Sequence, residues 1–235
     1  MNPVDIFVNG KKVESDYARS LFAPAGEITV FESLRSENGR IFRLEKHLDR
    51  LFESAKTAGV SLAKTRRELI REIKSSASRY TEDIYFLRLG VDASNAYLVV
   101  TKRKRPPEIY EVGVRLKTAV TRRNHPDASP PQAKASDFFN NVMAWIDAGQ
   151  DAFDALFLDA NGFVAESTIW NIFAVKSGAL LTPYVGILSG VTRQFVIECA
   201  YKERLPVSET FLTRHDFWNA DEAFLTNTSG GIVPV

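Results

Sequence analysis

Apolar and polar residues alternate with a period of two at the start of the chain, where Ile6 and Val8 precede Asn9-Gly10 and Val13 follows. Asn-Gly between such runs is a strong short-range hairpin signal, so the chain is expected to open with β structure. Residues 27–34 alternate again and carry the β-formers Ile28, Val30 and Phe31, and Asn38-Gly39 offers a second turn before residues 41–44. At Leu48 the period changes. Leu48, Leu51, Phe52 and Ala55 mark one helical face, Gly59 is a plausible stop, and a second helix is expected over residues 66–80 with Leu69, Ile70 and Ile73 inward. Strands are expected at residues 84–90 and 96–102.

Pro106 and Pro107 interrupt this pattern, because proline has no N–H for a ladder and pushes the preceding residue extended. They divide the sequence into a small N-terminal α+β domain (1–105), a linker (106–111) and a larger C-terminal domain (112–235). The second part reads as a strand near 112–120, a Pro-rich surface loop over 125–131 and a helix over 136–149. Strands at 155–159, 163–166 and 172–175 follow, with turns at Asn161-Gly162 and Ser177-Gly178. A helix running from Val191 to about Leu205 and strands at 207–212 and 222–226 complete it. Strand-rich halves with interspersed helices indicate an α+β fold and not a doubly wound sheet.

Composition narrows the function classes. Hydrophobic residues at 45% and charged residues at 25% are those of an ordinary globular protein, and a net charge of +1 argues against a nucleic-acid or anionic-membrane surface. The densest basic run, Lys102, Arg103, Lys104 and Arg105, has no interleaved aromatics and reads as a solvated strand end. Cys199 is the only cysteine, which excludes an intrachain disulfide and a cysteine zinc cluster and suits a reducing cytoplasm. No segment approaches ~18 uninterrupted apolar residues and the first residues lack a signal-peptide pattern, so a soluble, untargeted protein is expected. His47, His125 and His215 lack ligand spacing, so no metal is expected, and each reads as a surface or structural residue. A Gly-x-Ser-x-Gly elbow, a Walker loop and a dinucleotide fingerprint are all absent.

The stretch Gly186-Ile187-Leu188-Ser189-Gly190-Val191-Thr192-Arg193 leads straight into a helix. Gly190 is expected to free the backbone at the turn. The Val191 and Thr192 amides then have no intrahelical acceptor and, with the positive end of the helix dipole, suit an anion. Taken alone, a glycine before a threonine at a helix start is more often an ordinary cap.

Other segments change that balance. Residues 44–51 (Leu-Glu-Lys-His-Leu-Asp-Arg-Leu), Lys134 with Asn140 and Asn141, residues 166–173 (Glu-Ser-Thr-Ile-Trp-Asn-Ile-Phe), the 187–193 stretch, and residues 221–229 with the closing Pro234-Val235 occur in one order. Together they resemble the class IV (fold type IV) pyridoxal-phosphate-dependent aminotransferases, a family that contains branched-chain aminotransferases, D-amino-acid aminotransferases and aminodeoxychorismate lyases. The resemblance covers nearly the whole chain and implies a small α/β domain beside a larger β-rich pseudo-barrel domain. It implies pyridoxal 5'-phosphate as cofactor, an amino acid and a 2-oxo acid as substrates, and a homodimer.

Residue by residue, the resemblance places Lys134 as the Schiff-base lysine, whose ε-amine then shuttles the proton at the substrate Cα. Glu166 matches the carboxylate that pairs with the pyridine nitrogen and keeps the ring an electron sink. Arg50 matches the phosphate-binding arginine, although on the helix of Leu48, Leu51 and Phe52 it would ordinarily be read as a surface partner of Asp49 or Glu53. Leu188 is expected on a face of the ring. Gly190, the Val191 and Thr192 amides, the Thr192 hydroxyl and Thr228 are expected around the phosphate. Phe31, Phe86, Phe139 and Trp170 fall at or beside positions that line the substrate pocket, and this apolar lining favours aliphatic or aromatic side chains; Arg88, as a carboxylate holder or a structural arginine, and Ser229 are placed with them.

Departures from the family pattern mark the limits of this transfer. Phe139 stands where many relatives carry a tyrosine near the cofactor, and the chain stops at Val235 where relatives continue through another strand and a helix. The segment 30–35 looks more like the branched-chain members than the lyases, which tend to carry a threonine there. The Arg and His pair of the D-amino-acid enzymes is missing from 92–97, where Asn95 and Tyr97 are the nearest polar residues. The expected order is therefore a branched-chain or general transaminase, then aminodeoxychorismate lyase, then D-amino-acid transaminase, with a non-catalytic relative as the remaining alternative.

Overall fold

The computed structural model describes residues 4–14, 28–81, 83–102, 105–136 and 138–235. Glu27 at the expected strand start, Arg103 and Lys104 of the basic run, and Asp137 in the expected helix lie outside them. The chain divides into two compact units, Met1–Lys104 with Ala133–Ser136 and Arg105–Gln132 with Asp137–Val235.

The first unit is built on an antiparallel sheet of β1 (Asp5–Val8), β2 (Lys11–Val13), β3 (Val30–Glu37), β4 (Arg40–Ile41), β5 (Ile84–Val91) and β6 (Ala96–Lys102), ordered β2-β1-β6-β5-β3-β4. Both tight turns are Asn-Gly, with φ of 49° and 79° at Asn9-Gly10 and 51° and 72° at Asn38-Gly39. Two successive positive φ values give the backbone twist that matches a hairpin, and Asn and Gly are the residues that tolerate it.

Helices α1 (Leu44–Ala58) and α2 (Arg66–Ala77) belong to the same unit. Leu48, Leu51, Leu69 and Ile73 join Leu34, Leu87 and Val100 in one buried core. Each such side chain stabilises the unit by about 1.5–3 kcal/mol on burial. Gly59 ends α1 in the left-handed conformation, its N–H directed at Ala55 and Lys56 carbonyls. The α2 helix starts with a capping box between Thr65 and Glu68 and stops at Ala77, short of the expected Tyr80. There the Ser78 hydroxyl donates back to the Ser75 carbonyl, the local competition by which serine favours helix ends.

The second unit holds two sheets. One joins β7 (Leu116–Thr118), β8 (Asp154–Leu158) and β9 (Val164–Ser167); the other runs β12 (Val207–Glu209), β11 (Ala179–Thr182), β10 (Asn171–Lys176), β13 (Glu222–Asn227) and β14 (Gly231–Pro234). Its helices are α3 (Glu108–Glu111), α4 (Phe139–Ala148), α5 (Val191–Lys202) and α6 (Arg214–Trp218). Because β12 lies parallel to β11, the chain between them must cross over, and α5 is that crossover.

The strand expected over 112–120 shrinks to three residues. Val112 caps α3, and Val112 and Val120 are each 85% exposed, so neither end has a sheet face to bury. The strand expected over 207–212 likewise ends at Glu209. The one-turn helices α3 and α6 and the short strands β11 and β14 are additions to the expected pattern. No helix among the described residues is long and apolar enough to cross a membrane.

Candidate active site

In the first unit, β3 alternates so that Val30, Glu32 and Leu34 share a face, and all three are fully buried. A carboxylate between two core residues must be paired, since an isolated buried charge is prohibitively costly. Its partners come from α1, where His47, Arg50 and Ser54 follow the buried Leu44 at helical spacing. Arg50 donates through Nε to Glu32 Oε1 at 2.7 Å and through Nη2 to Oε2 at 2.7 Å, a two-pronged fork. The surface reading of Arg50 is thereby corrected: it is 7% exposed, and Asp49 instead pairs with Arg66 at 2.8 Å.

His47 Nδ1 lies 2.8 Å from Glu32 Oε2. Burial pushes the His47 pKa below its ordinary value despite Glu32, with the Arg50 and Lys134 charges acting in the same direction as burial. Neutral His47 therefore donates from Nδ1, leaving Nε2, a buried atom without a hydrogen-bond partner, as a bare acceptor. Burial also tends to raise the Glu32 pKa, but the charge and hydrogen bonds of Arg50, helped by His47, outweigh it and hold the carboxyl at about 2.

Lys134 lies in the segment Ala133–Ser136, which returns to this unit. The Phe31 N–H donates to the Lys134 carbonyl at 3.0 Å, the Lys134 N–H donates to Ser54 Oγ at 2.9 Å, and Ser136 is bonded to Thr29 in both directions. Fixed at both ends, the side chain places Nζ 4.5 Å from the centroid of the Phe31 ring. Arg88, from the adjacent β5, stacks on the same ring with Cζ at 4.2 Å. Phe31 is 4% exposed, and Phe86 is half-buried.

In the second unit, Glu166 sits in β9 and is bound by three donors. Arg123 Nη2 reaches Oε1 at 2.9 Å, while Asn171 Nδ2 and the Leu188 N–H both reach Oε2 at 3.0 Å. Asn171 Nδ2 also donates to the Leu188 carbonyl at 2.9 Å, so one amide ties the 186–190 loop to the carboxylate. Arg123 is held by the Gly186 carbonyl at 3.2 Å and Asn141 Oδ1 at 3.1 Å. Below the turn after Glu166, the buried Asp154 accepts from the Thr168 hydroxyl at 2.6 Å. Burial raises the Asp154 pKa, and the hydrogen bonds from Thr168 and Ser167 only partly offset it.

Gly190 differs from its sequence reading. Its φ of −68° and ψ of 130° are open to any residue, and the positive φ of this loop belongs to Gly186 at 71°. Gly190 is needed for space, because a Cβ there would come 1.9 Å from Asn171 Oδ1. It precedes α5 without any side-chain cap bond, so the Val191 and Thr192 amides begin the helix uncapped by a side chain. Val191 is buried and Leu188 and Thr192 are half-buried. Arg193 is a strut: it donates to the Pro183 carbonyl at 2.9 Å and to Glu209 at 2.7 Å.

Thr228 and Ser229 occupy the turn between β13 and β14, where Asn227 Oδ1 accepts from Ser229 Oγ at 3.2 Å and the Gly230 N–H at 2.7 Å. Trp170 is 2% exposed, whereas Phe139, at the first turn of α4, is 73% exposed. Within the second unit the structure thus brings Glu166, Leu188 and Gly190 together through Asn171. Within the first it brings Lys134 to Phe31 and ties its backbone to Ser54, one helical turn after Arg50 on α1.

Roles for Glu32, His47, Ser54, Arg123 and Asn171 were not assigned from the sequence. An acid at an inward position of an apolar strand was a usable signal for Glu32. Arg123 offered none, since it lies in an irregular loop.

Each unit thus holds a buried ion pair, and in the second the uncapped start of α5 follows the loop bonded to the Glu166 carboxylate. Residues 29–235 match the amino-transferase class IV family. The chain is 36% identical to a Methanocaldococcus jannaschii protein bearing the name branched-chain-amino-acid aminotransferase, over 98% of this chain and 86% of the relative. It is 35% identical to the Arabidopsis thaliana branched-chain-amino-acid aminotransferase-like protein 1 over 89% of this chain, a match spanning 41% of that longer relative.

Among solved structures, it superposes on the branched-chain aminotransferase of Thermoproteus uzoniensis with norvaline at a TM-score of 0.88 and 30% identity, covering 100% of this chain and 86% of the other. A Thermotoga maritima structure described as a branched-chain amino acid aminotransferase gives 0.87 at 30% identity, covering 98% and 85%. The chain belongs to the class IV aminotransferases, and it is an enzyme of that family.

Proposed function

We propose that this chain is a pyridoxal-phosphate-dependent transaminase that moves an amino group between a branched-chain or other apolar amino acid and a 2-oxo acid, with Lys134 as its catalytic lysine. The single observation that carries the cofactor assignment is the 186–192 loop: its helix start lacks a side-chain cap, and the space a Gly190 Cβ would fill is bounded by Asn171, itself bonded to Glu166. A phosphate dianion suits amides at a helix start, and the residues present fit the cofactor. When bound, pyridoxal phosphate supplies an aldehyde for an amine and a ring that accepts the electron pair released at Cα.

Lys134 Nζ is the amine that would hold the cofactor, and the base that would take the proton from the substrate Cα and return it. Its anchored backbone limits where Nζ can go, which supports a proton-transfer role. Glu166, with three donors fixing its direction, serves the ring nitrogen. Arg50, the Val191 and Thr192 amides, the Thr192 hydroxyl and Thr228 serve the phosphate, and Leu188 a ring face. Phe31, Arg88, Trp170 and Ser229 are assigned to the substrate; Phe139 shares this assignment, although its exposure also fits an interface.

A homodimer is part of the proposal. Phe139, Val142, Met143 and Ile146 repeat at i, i+3, i+4 and i+7 on α4, with exposures of 73, 47, 37 and 59%. An apolar stripe of this kind is a protein-contact signal, and a second copy is the partner that the family suggests. Light scattering is expected to give twice the chain mass of 26.3 kDa, and Ile146→Glu to give a monomer. A wild-type monomer with full activity contradicts the proposal. The lone Cys199 supports the cytoplasm as its compartment.

Purified protein given leucine and 2-oxoglutarate is expected to form glutamate. Given aminodeoxychorismate, it is expected to form no pyruvate. Pyruvate and aminobenzoate without glutamate would replace the transaminase reading by the lyase.

A further inference from the structure

Arg105 lies in the second unit, outside every role assigned above. Its guanidinium sits over the Trp170 indole with Cζ 4.9 Å from the ring centroid, and Nη2 donates to Ser229 Oγ at 3.2 Å. Both neighbours are fixed. Trp170 is buried against Phe153, with ring centroids 5.7 Å apart, and packs so closely on Gly230 that a Cβ there would come 2.0 Å from the indole. Ser229 and Gly230 are both tied to Asn227 Oδ1, and Asn227 Nδ2 donates to the Ile169 carbonyl at 3.2 Å. These neighbours, both assigned to the substrate, adjoin the cofactor residues: Trp170 precedes Asn171, which is bonded to Glu166, and Ser229 follows Thr228.

A surface arginine gains little from such surroundings. A guanidinium held over an indole and steered by a hydroxyl, in contrast, is restrained in position, and arginine so restrained can receive a carboxylate through two parallel N–H donors. Every amino acid and 2-oxo acid carries a carboxylate, and an apolar pocket cannot satisfy it.

We infer that Arg105, stacked on Trp170 and steered by Ser229, binds a carboxylate of the amino-acid and 2-oxo-acid substrates. The inference rests on the transaminase reading and adds a specificity residue to it. Arg105 takes no part in proton transfer, so its loss weakens substrate binding while leaving the cofactor in place.

The test compares wild type, Arg105→Gln and Arg105→Lys as cofactor-loaded enzymes. Calorimetric titration with 4-methylpentanoate, a carboxylate with a leucine-like arm and no amine, is expected to give a Kd at least ~tenfold weaker in Arg105→Gln, the equivalent of about 1.4 kcal/mol. Arg105→Lys is expected to recover part of it. Single turnovers with leucine are expected to slow by a similar factor, and those with leucinol, which lacks the carboxylate, to be unchanged.

An unchanged Kd overturns the inference. Equal slowing with leucine and leucinol also overturns it, since it marks Arg105 as a strut for Trp170. Failure of the wild type to bind cofactor or to form glutamate from any amino acid is a separate result that strikes the transaminase reading itself.

Discussion

Replacing Glu32 with glutamine is expected to lower the unfolding free energy by about 3–5 kcal/mol, a large share of the stability of an ordinary domain. Glu32 is fully buried and accepts both prongs of the Arg50 fork together with the His47 bond. The amide retains the shape but leaves Arg50 as a buried cation without its compensating charge. Urea unfolding reads the loss directly. In an Arg50→Met, Glu32→Gln double variant part of the loss should return, because the uncompensated charge is gone. Additive losses would show that the pair is not coupled.

The same cluster sets an acid response. Glu32 titrates at about 2 in the folded chain against 4.5 for the unpaired group, so its contribution is fully present above the unfolded value and is lost as pH falls from there towards 2. His47 has a lowered folded pKa because burial opposes its protonation, so the unfolded chain takes up the extra proton and stability begins to fall below about 6.5. Both groups act in the same direction. Unfolding free energy in the wild type is therefore expected to decline in two stages on acidification, and Glu32→Gln should remove the lower one.

Gly190→Ala carries the other large effect, this time on cofactor retention. The backbone at Gly190 suits alanine, so the cost is steric alone. The new methyl would come 1.9 Å from Asn171 Oδ1, and Asn171 cannot retreat without breaking its bonds to Glu166 and to the Leu188 carbonyl. Overpacking of this kind costs about 1–3 kcal/mol. The displacement is transmitted to the carboxylate and to the start of α5, so the Kd for pyridoxal phosphate should rise at least ~tenfold. Asn171→Ala should weaken retention too. The double variant should be no worse than Asn171→Ala alone, because the obstructing oxygen is absent. A double variant as poor as the sum of the two would place the fault elsewhere.

How much of this was legible beforehand varies with the physics involved. The hairpins at Asn9-Gly10 and Asn38-Gly39 and the helices with regular apolar spacing could be read because each depends on neighbours in sequence. The one-turn helices α3 and α6 had too few residues to establish a period. The motif residues marked the family, but the roles of Glu32, Arg123 and Asn171 depend on partners 18, 43 and 5 residues away that only the folded sheets bring near. Gly190 shows the difference in kind. The sequence suggested a need for backbone freedom, whereas the fold shows a need for an absent side chain, a distinction fixed by Asn171.

The claim on which the rest depends is that Lys134 holds pyridoxal phosphate. Absorbance of the cofactor-loaded protein tests it most directly. The wild type is expected to show the band of a lysine-linked cofactor at ~410 nm, to lose it on addition of leucine, and to carry the label on Lys134 after borohydride reduction, whereas Lys134→Ala should lack all three responses. A wild type without the band, or a Lys134→Ala protein whose spectrum matches it, would contradict the account.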